Sequence, residues 1–268
     1  MPEKLGIIGG GVMGEALLSR LIAEELYQPS EVLVSDPAGE RRQQLIDRYG
    51  INATSNNHQA LSTTEAVLLA VKPQIFSAIA AEAAETAVTT QPLLISIMAG
   101  VTLSRLEAAF PGWPIVRAMP NTPATVGAGM TAIAVGKTVT SEQQQLARQI
   151  FQSVGQVVSV SESLMDAVTG LSGSGPGYVA IMIEALADGG VAAGLPRAIA
   201  LQLAIQTVKG TAELLQSTEL HPAVLKDRVT SPGGTTIAGI ARLESLGLRT
   251  ALIEAVRTAC QRSQELGE

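Results

Sequence analysis

The 268-residue chain has few of the side chains on which most metal and thiol sites depend. Its single cysteine, Cys260, has no second cysteine with which to form an intramolecular disulfide, which fits a reducing cytoplasmic compartment. The two histidines, His58 and His221, form no cluster with cysteine at metal-ligand spacing. We therefore expect neither a metal site nor a cysteine hydrolase.

Basic clusters, aromatic residues and long apolar runs are also scarce. The net charge is -6 and no tract of Lys and Arg is present, which argues against nucleic acid as a partner, since phosphates require clustered cations. Aromatic residues make up only 3 %, so the core must be aliphatic. The start of the chain lacks the pattern of a secretion signal, and polar side chains interrupt the most apolar helical stretch, residues 198–215. We expect a soluble, cytoplasmic protein without a membrane partner.

A glycine-rich turn stands near the start of the chain. The apolar run 5–8 leads into residues 9–14, Gly-Gly-Gly-Val-Met-Gly, which have the spacing Gly-x-Gly-x-x-Gly. Gly9 permits a tight turn, Gly11 lets the backbone approach a pyrophosphate, and Gly14 lets the next helix pack on the strand. The N-terminus of that helix offers free N–H groups to phosphates. The pattern favours dinucleotide binding over a purely structural turn or another nucleotide-like ligand.

Strand-like and helix-like segments alternate as far as residue 160. Continuous apolar runs are typical of strands that are buried in a parallel sheet. They predict strands at 5–8, 31–35, 51–53, 66–71, 93–98, 115–119, 131–135 and 156–160. From residue 161 onward, alanine-rich helices replace the strands. The expected α/β fold is a doubly wound sheet in residues 1–160, with its last strands turning antiparallel, followed by an all-α domain in residues 161–268.

Polar residues follow several of the predicted strands, at the edge where α/β proteins bind ligands. Asp36 ends the second strand, about where the adenosine ribose of a dinucleotide lies. Lys72 marks either this ligand edge or a solvated strand end, and the turn 120–123, Pro-Asn-Thr-Pro, either presents two polar side chains or only reverses the chain. The polar run 54–58 predicts a loop, and Pro73 predicts the start of a helix that reaches Ala87.

Two glycine-rich segments, residues 166–178 and 229–236, precede helices in the second part of the chain. Both are predicted to be turns that expose backbone N–H groups, which suit a carboxylate. The first segment serves either ligand contact or close helix packing. The second favours contact, because the hydroxyls of Thr235 and Thr236 can add hydrogen bonds without adding charge. The helix from residue 198 is apolar on most faces, which favours a dimer.

These motifs together resemble the pyrroline-5-carboxylate reductase family over nearly the whole chain. The residues that carry the resemblance are 9–14, 70–73, 117–123, 166–178 and 231–236. The resemblance implies reduction of L-1-pyrroline-5-carboxylate to L-proline, the last step of proline biosynthesis, by hydride from a nicotinamide cofactor. It also implies a Rossmann-type domain and an all-α dimerisation domain, in a homodimer that often assembles further into a ring of dimers.

The resemblance also implies site residues. The substrate would contact Glu162, Val229, Thr235 and Thr236, with the Thr236 hydroxyl as the catalytic candidate that relays a proton to the ring nitrogen. The cofactor would contact Ile8, Gly9, Gly10, Gly11, Val12, Met13, Asp36, Asn57, Ala70, Val71, Lys72, Pro73, Ile97, Met98, Ala99 and Asn121. Asp36 suits the ribose diol of NADH, whereas Arg41 and Arg42 favour the phosphate of NADPH. We expect NADPH, with NADH as the alternative.

Two alternatives account for parts of the sequence. The first is another enzyme of the same architecture, either a reductase of a different cyclic imine or a β-hydroxyacid dehydrogenase. The latter usually carries a catalytic lysine on a long helix of its second domain; Lys209 is the only lysine on such a helix, but it lies well past the helix start. A noncatalytic nucleotide-binding protein would explain the glycine turn but would give Thr235 and Thr236 no purpose. Gly177 departs from the family, which commonly has alanine there.

Overall fold

The computed structural model describes residues 3–85 and 91–267. Its strands are β1 (Leu5–Ile8), β2 (Val32–Ser35), β3 (Asn52–Thr54), β4 (Ala66–Leu69), β5 (Leu93–Ser96), β6 (Ile115–Met119), β7 (Gly129–Val135) and β8 (Gly155–Ser159). Its α-helices are α1 (Val12–Ala23), α2 (Gly39–Tyr49), α3 (Asn57–Leu61), α4 (Phe76–Glu85), α5 (Leu103–Ala109), α6 (Ser141–Gln152), α7 (Met165–Val168), α8 (Gly175–Ala192), α9 (Arg197–Thr218), α10 (Pro222–Arg228), α11 (Thr235–Ser245) and α12 (Leu248–Gly267).

The strands form one sheet in the order β3-β2-β1-β4-β5-β6-β7-β8. Neighbouring strands are parallel except for β6 and β7, which are antiparallel, so the predicted doubly wound sheet with a late antiparallel turn is confirmed. Side chains alternate between the faces of the sheet. Leu5 and Ile7 of β1 therefore enter one apolar cluster and Ile8 enters the other.

The helix boundaries follow from local sequence signals. Gly50 ends α2 with a φ of 68°, a left-handed conformation that favours glycine. The prediction of a loop over residues 54–58 is wrong in part, because Asn57 and His58 begin α3. Asn56 accepts a hydrogen bond from the His58 N–H at 2.9 Å and so caps this helix. A 3-10 turn, Pro73–Ile75, leads into α4, whose predicted end at Ala87 lies outside the described residues.

The chain forms two compact units. The first contains the residues up to Ser174 and those from Thr258 onward, and the second contains Gly175–Arg257. Strands give way to helices after residue 160, yet the compact unit continues because Met165 is buried in the core beside the sheet. Ser263 of α12 also donates a hydrogen bond to Asp166 at 2.7 Å. The domain limits predicted from the sequence, 1–160 and 161–268, stay a prediction.

The second unit has little core of its own. Its buried apolar cluster consists of Ala187, Ala200 and Ala204, while α8 and α9 expose large apolar side chains such as Ile181, at 66 %, and Leu203, at 53 %. A helix pair with an apolar exterior requires a covering surface, so this unit has the character of a subunit interface. None of the described helices is long and apolar enough to cross a membrane.

Candidate functional site

The segments predicted to contact a dinucleotide meet at the carboxyl edge of the sheet. The Gly9 N–H donates to the Ser35 carbonyl at 2.8 Å, and the Ala70 N–H donates to the Ile8 carbonyl at 2.8 Å. The Ile97 N–H in turn donates to the Leu69 carbonyl at 3.2 Å. The ends of β2, β1, β4 and β5 are therefore adjacent, as the strand order of a dinucleotide-binding sheet requires.

The glycine turn fits a phosphate-bearing ligand. Gly9 has a φ of 103°, and a Cβ on Gly14 would lie 2.2 Å from the Gly9 carbonyl oxygen, so both glycines serve the turn and its packing. A Cβ on Gly11, by contrast, would meet no atom within 4 Å. Gly11 precedes α1 without a side-chain cap, so the first N–H groups of the helix have neither an intrahelical partner nor a capping side chain. The fold does not require a glycine at position 11, because a side chain there would meet no other atom of the chain. A pyrophosphate that approached this backbone closely would require one.

Asp36 is fixed against the glycine turn by two backbone groups. Its Oδ2 accepts a hydrogen bond from the Gly10 N–H and its Oδ1 accepts one from the Ala38 N–H, both at 2.9 Å. Arg42 Nη1 donates to the carbonyl oxygens of Asp36 and Pro37 at 2.7 and 3.0 Å. The carboxylate is therefore held at the end of β2, next to the turn, where a ribose would lie.

The two predicted asparagines already make hydrogen bonds within the chain. The Oδ1 of Asn57 accepts from the Ser35 hydroxyl at 2.7 Å, and its Nδ2 donates to Glu82 at 2.8 Å. The Nδ2 of Asn121 donates to the Ser172 carbonyl at 3.1 Å, and its Oδ1 accepts from the Met130 N–H at 2.9 Å. These bonds orient both side chains, and their contacts with a cofactor stay a prediction.

The remaining predicted cofactor residues differ in exposure. Ile8 and Met98 are buried in the core, so only their backbone is available to a ligand. Val12 is 72 % exposed on the open side of the turn, and Lys72 is exposed at the end of β4. Met13, Ala70, Val71, Pro73, Ile97 and Ala99 are half-buried.

Glu162 has a structural role that the sequence did not indicate. Its Oε1 accepts a hydrogen bond from the Leu103 N–H at 2.5 Å, at the start of α5, and another from Arg117 Nη1 at 3.2 Å. Arg117 lies on β6 and is only 2 % exposed; its Nη2 is 3.8 Å from Asp166 Oδ1. The signal available in the sequence was a single arginine in an apolar strand, because a buried charge requires partners. The predicted contact of Glu162 with substrate stays a prediction.

The first glycine-rich segment is helical rather than an open turn. A π-helical turn, Thr169–Gly173, joins α7 to α8 almost without a break. The Ser174 N–H donates to the Thr169 carbonyl at 2.9 Å, and the hydroxyls of Thr169 and Ser172 bond back to carbonyls four residues earlier. The prediction that this segment exposes a row of N–H groups to an anion is therefore wrong, since helical bonding engages them.

The second glycine-rich segment has the predicted form. Gly233 has a φ of 67°, which favours glycine, and a Cβ on Gly234 would lie 2.3 Å from the Ser231 hydroxyl oxygen, so that side chain would have to move. Thr235 and Thr236 are the first two residues of α11, where backbone N–H groups lack intrahelical partners. Thr236 is half-buried, whereas Thr235 and Val229 are exposed. All three belong to the second unit.

Comparison with known proteins supplies the family. Residues 162–266 match the model described as pyrroline-5-carboxylate reductase dimerisation, and residues 4–100 match the one described as NADP oxidoreductase coenzyme F420-dependent. A pyrroline-5-carboxylate reductase of Synechocystis sp. is 61 % identical over the full length of both chains. The enzyme of Escherichia coli is 40 % identical, also over both full lengths.

Solved structures agree over the whole chain. A pyrroline-5-carboxylate reductase from Coxiella burnetii has a TM-score of 0.92 at 36 % identity and covers all of both chains. The pyrroline carboxylate reductase of Plasmodium falciparum with NADP bound has a TM-score of 0.89 at 32 % identity, covering 99 % of this chain and 98 % of its own. The predicted Rossmann-type domain with an all-α dimerisation domain is confirmed, and the chain belongs to the pyrroline-5-carboxylate reductase family.

Proposed function

We propose that this protein reduces L-1-pyrroline-5-carboxylate to L-proline with hydride from a reduced nicotinamide dinucleotide, the last step of proline biosynthesis. The observation that carries the proposal is the 61 % identity, over both full lengths, to a pyrroline-5-carboxylate reductase. In the reaction, hydride adds to the imine carbon, a proton adds to the imine nitrogen, and the cofactor becomes NAD(P)+. The open face at Gly11 and the fixed Asp36 carboxylate support the same assignment.

The dinucleotide would supply the hydride, and residues of the first unit would hold it. The N-terminus of α1, with the turn 9–13, would bind the pyrophosphate through backbone N–H groups. Asp36 and Asn57 would lie at the adenosine end. The segments 70–73 and 97–99, together with Asn121, would line the path toward the nicotinamide. The hydrogen bonds that fix Asp36, Asn57 and Asn121 support this proposal, because side chains that are already oriented lose little freedom on binding.

NADPH is the cofactor we propose first, with NADH as the alternative. The relative from Plasmodium falciparum has NADP bound, which supports NADPH for this chain. Asp36 acts in the opposite direction, because its carboxylate repels a 2′-phosphate. The two arginines near it, Arg41 and Arg42, offset part of that repulsion.

The substrate would bind beside the N-terminus of α11. Its carboxylate would accept hydrogen bonds from the free N–H groups of the first turn, which the helix dipole strengthens. Thr235 and Val229 would position the ring, and the Thr236 hydroxyl would pass a proton from solvent to the ring nitrogen. Glu162 would contribute through its partly exposed carboxylate. An imine is already electrophilic, so this chemistry needs no histidine base.

The helical domain forms the homodimer, as its family model states. The exposed apolar faces of α8 and α9 support this contact. We propose residues 1–160 as the dinucleotide-binding domain and residues 161–268 as the substrate-binding and dimerisation domain. We also propose that the dimers assemble further into a ring, and that the enzyme works in the cytoplasm.

The test is an assay of the purified protein with L-1-pyrroline-5-carboxylate and NADPH or NADH in parallel. We expect oxidation of the reduced nicotinamide that depends on the imine and that matches the proline formed, mole for mole. The absence of imine-dependent oxidation with both cofactors would contradict the proposal. Tight cofactor binding without turnover would favour a noncatalytic nucleotide-binding role.

Gly11→Ala is expected to weaken cofactor binding about tenfold without lowering thermal stability, since alanine excludes a pyrophosphate from close approach. Its backbone angles, φ -68° and ψ -172°, are open to alanine, and the new Cβ would meet no atom of the chain within 4 Å. Calorimetric titration with NADP+ and a melting curve measure the two effects.

Gly177→Ala is the matched control for Gly11→Ala, because its Cβ also meets nothing within 4 Å and it lies in α8. We expect it to leave cofactor affinity unchanged. Gly14→Ala should instead lower the melting temperature, since its Cβ would lie 2.2 Å from the Gly9 carbonyl oxygen. Wild-type affinity in Gly11→Ala would show that the pyrophosphate does not approach this face.

A further inference from the structure

Three side chains of α2 converge on one carboxylate in the first turns of α1. Arg41 Nη2 donates to Glu15 Oε2 at 2.5 Å. Arg48 Nη1 and the Tyr49 hydroxyl donate to Glu15 Oε1 at 3.0 and 2.9 Å. We call Glu15, Arg41, Arg48 and Tyr49 the Glu15 cluster. It lies beside the glycine turn, and neither the fold nor the proposed reaction accounts for it.

The carboxylate of Glu15 is charged at neutral pH. The hydrogen bond from Arg41 lowers the pKa of Glu15 more than partial burial raises it, and the Tyr49 hydroxyl and both arginines lower it further. The side chains of Glu15 and Arg41 are only 22 % and 25 % exposed. Salt and water therefore screen this pair less than an ion pair on the open surface.

Arg41 connects the cluster to the adenosine end of the dinucleotide site. Its Nε donates to the Gly10 carbonyl at 2.6 Å, while the N–H of the same glycine donates to Asp36 Oδ2 at 2.9 Å. Side chains of opposite charge thus bind the two polar backbone groups of one glycine in the turn. A change in the charge or position of Arg41 will therefore change the electrostatic potential at the proposed position of the cofactor ribose.

NADPH and NADH differ only in the 2′-phosphate on that ribose, which carries the largest charge in this part of either molecule. Asp36 opposes the phosphate, and Arg41 is the guanidinium bonded to the same turn residue. Glu15 binds Arg41 through Nη2, so this donor is occupied and the carboxylate offsets part of the positive charge of Arg41. The carboxylate that holds Arg41 in place also limits what Arg41 can give to a phosphate.

We propose that Glu15 is a positioning residue that sets the choice between NADPH and NADH by restraining and neutralising Arg41. This inference rests on the proposed function, since it concerns the cofactor site of the same enzyme. Glu15, like Asp36, thereby weakens the preference of the site for a cofactor with a 2′-phosphate.

Glu15→Gln is expected to raise the ratio of dissociation constants, NAD+ over NADP+, about fivefold at low ionic strength. The change should arise mainly from tighter binding of NADP+, because NAD+ has no 2′-phosphate to respond. Calorimetric titration with each nucleotide measures the ratio without turnover. Added salt should reduce the effect, which a purely structural role of Glu15 would not explain.

Glu24→Gln is the matched control, because Glu24 also pairs with an arginine of α1, Arg20, but at the far end of the helix. We expect its ratio to equal that of the wild type. In an Arg41→Gln background, Glu15→Gln should no longer change the ratio, since Glu15 is proposed to act through Arg41. Arg41→Gln alone should lower the ratio, which keeps the test valid if Glu15→Gln does not fold.

An unchanged or lower ratio in Glu15→Gln would overturn the inference, as would an equal rise in the Arg41→Gln background. An unchanged ratio in Arg41→Gln alone would overturn it as well. Binding of both nucleotides with no reduction of the imine would contradict the proposed function but not the role of Glu15. Failure of the unmodified protein to bind either nucleotide would contradict both.

Discussion

Thr236→Ala is expected to lower kcat about 100-fold, the lower end of what a positioned proton donor contributes, while the affinity for cofactor changes less than about twofold. Thr236 is half-buried at the second position of α11, in the second unit, whereas the residues proposed to hold the dinucleotide belong to the first. Loss of its hydroxyl would remove a proton path to the imine nitrogen and leave the glycine turn intact. Steady-state kinetics at saturating cofactor, with calorimetric titration of NADP+, separate the two effects.

Thr236→Ser is the control, since it keeps the hydroxyl and removes only a methyl group. We expect it to retain most of the wild-type kcat. Thr235→Ala should mainly raise the KM for the imine, because Thr235 is proposed to position the ring and not to carry the proton. A kcat for Thr236→Ala equal to that of the wild type would remove Thr236 from the proton path.

The sheet was predictable because its strands are continuous apolar runs. Residues 66–71 and 93–98 contain almost nothing polar, which is typical of strands buried on both faces, and they form β4 and β5 with slightly earlier ends. The glycine turn and the turn before the two threonines of α11 were predictable from their glycines. Gly9 and Gly233 adopt a positive φ that other residues rarely adopt.

The errors concern polar residues whose partners are local. Asn56 belongs to a polar run that predicts a loop, yet such a residue caps a helix as readily as it interrupts one. The small residues of 166–178 predict an open turn, but Thr169 and Ser172 bond their hydroxyls to helical carbonyls. The residue types alone do not distinguish a loop or open turn from a helix in these segments, because the same side chains occur in both kinds of structure.

The long-range partners were not predictable at all. Asn57 meets Ser35 and Glu82, Glu162 meets Leu103, and Arg41 meets Glu15 only once the sheet has brought distant segments together. A family motif indicates that Asn57 and Glu162 lie near a site. It does not indicate that their polar atoms already have partners within the chain, which the fold decides.

Arg117→Met is expected to lower the free energy of unfolding by about 3 kcal/mol. Among the described residues, Arg117 donates a hydrogen bond only through Nη1, to Glu162, while its buried Nε and Nη2 donate none. Its charge nevertheless lies between two carboxylates, since Nη2 is 3.8 Å from Asp166. Methionine fills similar space but leaves both carboxylates without their shared cation. The loss should stay near the lower limit for a broken buried pair, because Glu162 and Asp166 remain 33 % and 25 % exposed.

Urea unfolding at one protomer concentration measures the loss, since the stability of a dimer depends on concentration. Arg105→Met, which removes an exposed guanidinium of α5 that lies over Phe76, should cost less than about 1 kcal/mol. If charge rather than packing causes the loss, Arg117→Met combined with Glu162→Gln should recover at least about 1 kcal/mol relative to Arg117→Met alone. A double variant as unstable as the sum of the single ones would assign the effect to packing. Arg117 would then matter for how its side chain packs rather than for its charge.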